Sequence, residues 1–153
     1  MLVALLALSA CGGGSTPAPT TAQQARSPCP RAIAAALGAA ADARLDDRSD
    51  TVVDCTYRAG ATTARVRVDS APQAQFRFSR AVVESGQAHL GDPPSELPQV
   101  LDGIGAGAAW TAAGRELLAT DGRRLVTVTV VRPRADAPAR ATAVTVARAA
   151  LKP

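Results

Sequence analysis

From residue 29 onward the apolar residues recur with two different periods, and the switches between them mark out elements. Ile33, Ala36 and Leu37 form a short face at helical spacing. Pro30 suits the first helical position, where a missing N–H costs nothing, and Gly38 falls near the expected end. Residues 51–58 alternate, with Val53, Cys55 and Tyr57 on one face. Residues 62–69 alternate again, with Ala64, Val66 and Val68 inward and Arg65 and Arg67 outward. Gly60 between these runs predicts a hairpin. Pro72 opens a second helix on which Phe76/Val83 and Phe78/Val82 recur at helical spacing, and residues 86–89 are expected to fray into a loop. Residues 91–98 carry three prolines and read as irregular. Residues 109–112 and 116–120 are short strand candidates, and Asp121-Gly122 is a strong hairpin turn signal. Residues 125–131 form the clearest strand, with Val126, Val128 and Val130 alternating against Thr127 and Thr129. Pro138 precedes a last helix that carries Val144, Ala147 and Leu151 on one face.

The order is α-β-β-α-β-β-β-α. It predicts an α+β domain over residues 29–153, an antiparallel sheet of about five strands with helices packed on one face. About 125 residues can bury a workable core. Aromatics are only 3%, so that core is built from Val, Leu, Ile and Ala. Apolar residues at 47% and charged residues at 20% are a globular balance, which excludes a wholly disordered chain. No apolar run reaches the roughly 20 residues of a membrane-spanning helix.

Charge changes this picture little. The net charge is +4, and 16 of the 17 basic residues are Arg in a chain with 35 Ala. Ala, Arg, Gly and Pro share GC-rich codons, so the basic excess reflects codon composition and no nucleic-acid partner is expected. The arginines cluster only in twos (Arg65/Arg67, Arg77/Arg80, Arg123/Arg124, Arg132/Arg134), as on solvated faces, with an anionic envelope surface as a minor partner.

The first eleven residues read MLVALLALSAC. A short uncharged apolar run ends in Leu8-Ser9-Ala10-Cys11, which resembles a bacterial lipobox: a branched apolar residue, two small residues, then Cys. The resemblance implies a diacylglycerol thioether on Cys11 and cleavage after Ala10. Residues 1–10 would then be a lipoprotein signal peptide, and the chain would be held outside the cytoplasm on the cell membrane. Two acyl chains hold stably where one does not. No basic residue precedes Cys11, so the true start is expected upstream of Met1. Residues 11–28 are the modified cysteine and a flexible Gly/Ser/Thr/Pro/Gln tether spanning roughly 20–25 Å on average.

Three cysteines are an odd number for an exported protein. If Cys11 carries lipid, Cys29 and Cys55 remain as a pair, favouring a disulfide over free thiols or a metal. A bridge closing about 27 residues contributes roughly 3.5 kcal/mol in the chain-entropy model. There is no Cys-x-x-Cys and His89 is the only histidine, so a zinc site lacks ligands. No metal or cofactor is expected.

Several motifs follow one another in a recognisable order. Cys29-Pro30 opens a helix ending Leu37-Gly38. Cys55-x-Tyr57 lies on a strand, and Gly103-Ile104-Gly105-x-x-Ala108-x-Trp110 precedes a hairpin. The terminal helix ends at Leu151. Together they resemble a domain-of-unknown-function family of small actinobacterial lipoproteins, over most of residues 28–152. Tyr57 stands where Trp is common in that pattern, and Ala106-Gly107 where an acidic residue often follows the second glycine. The chain is more distantly similar to extracytoplasmic ligand-sensing domains of receptor kinases in the same bacteria. The resemblance implies an extracytoplasmic, lipid-anchored α+β domain and implies no activity.

Catalytic patterns are sparse. The segment Gly103-Ile-Gly-Ala-Gly107 lacks the strand before and helix after that a dinucleotide loop needs, so it reads as a structural turn. There is no Gly-x-Ser-x-Gly, and the three glutamates are isolated. The function expected is a non-catalytic binding or accessory module of the envelope, holding a small ligand, lipid or envelope protein, and monomeric. The alternatives are a hydrolase acting on envelope polymers and a purely structural surface lipoprotein. A ligand groove, if present, is expected between the sheet face bearing Tyr57 or Trp110 and the helix carrying Phe76 and Phe78. The competing reading places Trp110 in the core.

Overall fold

Among the residues that a computed structural model describes, 28–94 and 96–152, one antiparallel sheet of seven strands is flanked by three helices. In chain order the elements are α1 (Arg31–Leu37), β1 (Asp42–Arg48), β2 (Val52–Ala59), β3 (Thr62–Asp69), α2 (Ala74–Ala88), β4 (Gln99–Val100), β5 (Gly107–Thr111), β6 (Glu116–Thr120), β7 (Leu125–Arg132) and α3 (Asp136–Ala150). Their spatial order is β1-β2-β3-β7-β6-β5-β4. The α+β class read from the sequence is therefore found, with a wider sheet.

The two strands with the strictest alternation, β3 and β7, lie side by side at the centre. Val66 faces Val128 and Val68 faces Val126. The pleat carries this face across Cys55 and Tyr57 on one side, and across Leu117, Ala119, Ala108 and Trp110 on the other. All of these except the half-buried Val68 are sealed from solvent, and α3 covers them through Ala139, Ala143, Val146 and Ala147. Alanines on α3 let the helix approach the sheet closely, so a core with few aromatics still fills. On the same side, α1 packs against β2 and α3, anchored by Ile33.

Helix α2 lies on the opposite face, which corrects the expectation that all helices share one. Gly107 alternates with Ala108 and so points away from the main core, and a Cβ at Gly107 would meet the Phe78 ring at 2.9 Å. Asp69, out of phase with Val66 and Val68, likewise pairs with Arg77 of α2. The chain leaves β3 at Asp69, whose side chain faces the second side, and the Asp69–Arg77 pair and the Phe78 ring against Gly107 hold α2 there.

Two strands were not legible in the hydrophobic pattern. In β1 Ala43, Leu45 and, beyond the register shift, Arg48 oppose the inward residues Tyr57, Cys55 and Val53, while Arg44, Asp46, Asp47 and Arg48 are exposed. Such charges, with the register shift between Leu45 and Asp47, keep a sheet edge from recruiting other chains. At the other edge β4 has only two residues. Helix α2 runs through Gly86 to Ala88 rather than fraying there, α3 starts two residues before Pro138, and β5 begins at Gly107.

Cys29 and Cys55 form a disulfide that ties the entry of α1 to the middle of β2. At the far end, Asp121 makes the turn between β6 and β7 by accepting the N–H groups of Arg123 and Arg124. The Arg124 guanidinium then donates to the Ala150 and Leu151 carbonyls, satisfying the C-terminus of α3. Burial would raise the Asp121 carboxyl, but the hydrogen bonds and charge of Arg124 hold it below its ordinary value.

Candidate functional site

The four aromatic residues expected to line a groove do not come together. Tyr57 and Trp110 sit in the main core, both at 0% exposure. The Tyr57 hydroxyl donates to the Pro30 carbonyl at 3.2 Å, and burial pushes its phenol well above the ordinary value of 10. The Trp110 indole N–H donates to Asp136 at 3.0 Å, in the first turn of α3. Phe78 is half-buried on the other face against Gly107, and Phe76 on α2 is 63% exposed. A sheet therefore separates the two pairs. Cys11 lies outside the described residues.

The glycine-rich segment is a packing device. Gly103 and Gly105 adopt positive φ, +72° and +58°, and Ile104 between them is buried in the core. The segment runs from the two-residue β4 into β5, so no helix follows it as phosphate binding would require.

Three depressions formed by the described residues bear on a binding site. One, of about 420 Å³, opens beside Trp110 and is lined by Glu96, Gln99, Ala112, Ala113 and Asp136. Gln99 is held by Arg140 at 3.1 Å. Two carboxylates share this hollow, but among the described residues no hydroxyl, thiol or imidazole lines it, and Asp136 is occupied with the Trp110 N–H. A second, of about 700 Å³, surrounds the Asp121–Arg124 turn with Ser70, Arg123 and Leu151, where Arg124 is committed to capping α3. His89 pairs with Asp92 at 2.8 Å on the surface. No cluster of three or more His, Cys, Asp or Glu suited to a metal occurs among the described residues.

The third depression differs in kind. It is a groove of about 400 Å³ between the outer side of α2 and the segment leading into β4, lined by Val82, Val83, Gly86, Gln87, Leu90, Leu97 and Pro98. None of these side chains ionises. Of the six large apolar residues left exposed in the described chain, four lie on or beside it: Phe76, Val83, Leu90 and Val100. Val100 shares a face with α2 because it pairs with Ala109, in phase with Gly107. The helical spacing of Phe76 and Val83 was visible in the sequence, but it reads equally as a core stripe. Leu90, Leu97 and Pro98, in an irregular segment, gave no periodic signal.

The uncovered half of this face is polar and mixed in sign. Arg44, Thr56, Arg65, Thr129 and Glu116 form one cross-strand row, and Asp54, Arg67 and Thr127 another. The Thr56 hydroxyl and Arg44 hold Asp46 below the usual carboxylate range, although burial opposes them. Carboxylates interleave with the arginines, so no surface of single sign results.

Comparison with protein-family models finds no match, and no curated protein or solved structure is significantly similar to the chain.

Proposed function

We propose that this chain is a lipid-anchored, extracytoplasmic binding or accessory module of the cell envelope and not a catalyst. The observation that carries the reading is the groove along α2: apolar, open and free of titratable side chains, as suits binding by contact and not proton transfer or nucleophilic attack. Two further features support it. The Cys29–Cys55 bridge fits an oxidising compartment and leaves Cys11 as the one cysteine for acylation. The order of motifs resembles small actinobacterial lipoproteins.

Groove and anchor are tested separately. Titrating the full chain with dihexanoyl phosphatidylcholine below its micelle concentration should move amide resonances clustered at residues 82–90 and 97. Shifts clustered instead at Glu96, Gln99 and Asp136, or scattered evenly, would refute the binding reading. Expressed with its native upstream region, the chain should enter the detergent phase, and Cys11→Ser should not. Equal partition of both would remove the anchor.

A further inference from the structure

We infer that the outer side of α2 docks on the bilayer to which the chain is anchored, so that the partner of the apolar groove is the leaflet itself. This rests on the binding-module reading above and names its occupant. Phe76 and Val83 are seven residues, two turns, apart on one side of α2, about 10 Å along its axis, and Leu90 follows two residues beyond the end of the helix to continue the line. They are exposed by 63%, 58% and 79%, and Val100 at 74% widens the patch. Monomeric proteins rarely leave such residues grouped unless something covers them.

Beside the line the Arg80 charge is paired with Glu84 at 2.7 Å, and the His89 ring is hydrogen-bonded to Asp92 at 2.8 Å. Paired charges lower the cost of bringing a helix to the headgroup boundary. Leu45 and Val131, the other large apolar residues exposed among the described ones, stand singly on β1 and β7.

The tether supplies the remaining condition. Residues 12–28, as a flexible tether, would keep the domain on average roughly 20–25 Å from the anchoring lipid. At that distance docking is an intramolecular event with a high effective concentration, so an apolar patch too weak to recruit a free protein suffices. Helices that lie in the interface bury a few apolar side chains at the headgroup boundary, as this line would.

The experiment couples the purified chain to vesicles through Cys11, the only thiol left once Cys29 and Cys55 are bridged, using a maleimide-headgroup lipid in phosphatidylcholine. The outcome is thus independent of whether the cell acylates Cys11. Tryptophan is introduced singly, Val83→Trp on the line and Leu45→Trp on β1; Trp110 is buried and gives a constant background. With nitroxide-labelled acyl chains, Val83→Trp should lose most of its added emission and shift to shorter wavelength, and Leu45→Trp should keep its own. Adding Phe76→Ser and Leu90→Ser to Val83→Trp should restore the emission. Equal quenching at both positions, no quenching at either, or quenching unchanged by the two serines would overturn the inference. Burial of Val83→Trp seen only in native membranes and not in pure lipid would give the surface to an envelope protein, and overturn it too.

Discussion

Replacing Gly105 by alanine should be among the most damaging single-methyl changes in this protein. Gly105 sits at φ +58°, where an L side chain pays roughly 1–2 kcal/mol. Its added Cβ would also fall inside the van der Waals surface of the Thr120 carbonyl oxygen and 2.8 Å from Leu151 Cδ1. That carbonyl belongs to β6 backbone and accepts the Ala106 N–H at 2.6 Å, so it cannot swing aside as a surface side chain could. Forcing a methyl into such a site costs about 1–3 kcal/mol, and weakening the Ala106 hydrogen bond adds about 0.5–1.5 kcal/mol. The expected total is about 3–6 kcal/mol, a large share of the 5–15 kcal/mol that ordinarily holds a domain folded. Gly103 supplies the control. It has φ +72° with nothing within 4 Å of a built Cβ, so Gly103→Ala should show the dihedral cost alone. Urea unfolding, followed by Trp110 fluorescence and by far-ultraviolet circular dichroism, gives both values if the m-value is unchanged. A Gly105→Ala protein no less stable than Gly103→Ala would refute the close approach of the glycine turn to β6.

Two further outcomes follow from the buried polar groups. Tyr57 is the only tyrosine, and its phenol is raised above 10 by burial. The unfolded chain therefore loses that proton before the folded one, so the Tyr57 contribution is complete below pH 10 and declines as pH rises above it. Tyr57→Phe should flatten this decline, and phenolate absorbance in the wild type should rise together with unfolding; ionisation of Tyr57 in the folded protein near 10 would contradict it. Asp136→Ala should cost about 1–3 kcal/mol because it strands the buried Trp110 indole N–H. Asp136→Asn, which keeps an acceptor oxygen, should cost less, and equal losses in chemical denaturation would show that the hydrogen bond is not the cause.

Much of this architecture was written in local periodicity. The alternation of β2, β3 and β7 and the Asp121-Gly122 turn predict a hairpin-rich antiparallel sheet, while the cysteine count predicts a Cys29–Cys55 pair only with Cys11 set aside for lipid. These signals are local because a strand with one buried face must repeat every second residue, whatever lies beyond it. The edge strands escaped notice for the converse reason. β1 buries little and carries charge to protect an edge, so it lacks the pattern by which strands are recognised.

What tertiary structure alone decided is which face each element joins. Phe76, Phe78, Tyr57 and Trp110 are all large and apolar, and nothing in their spacing says that a sheet would come between them. That depends on where α2 finds its partners after the connection from β3, with Arg77 on Asp69 and Phe78 against Gly107. The same placement left Phe76, Val83 and Leu90 facing outward beside Leu97 and Pro98. The apolar groove is thus a consequence of how the helix lands on the sheet, whereas the sequence by itself determined only that the helix would have an apolar stripe to place.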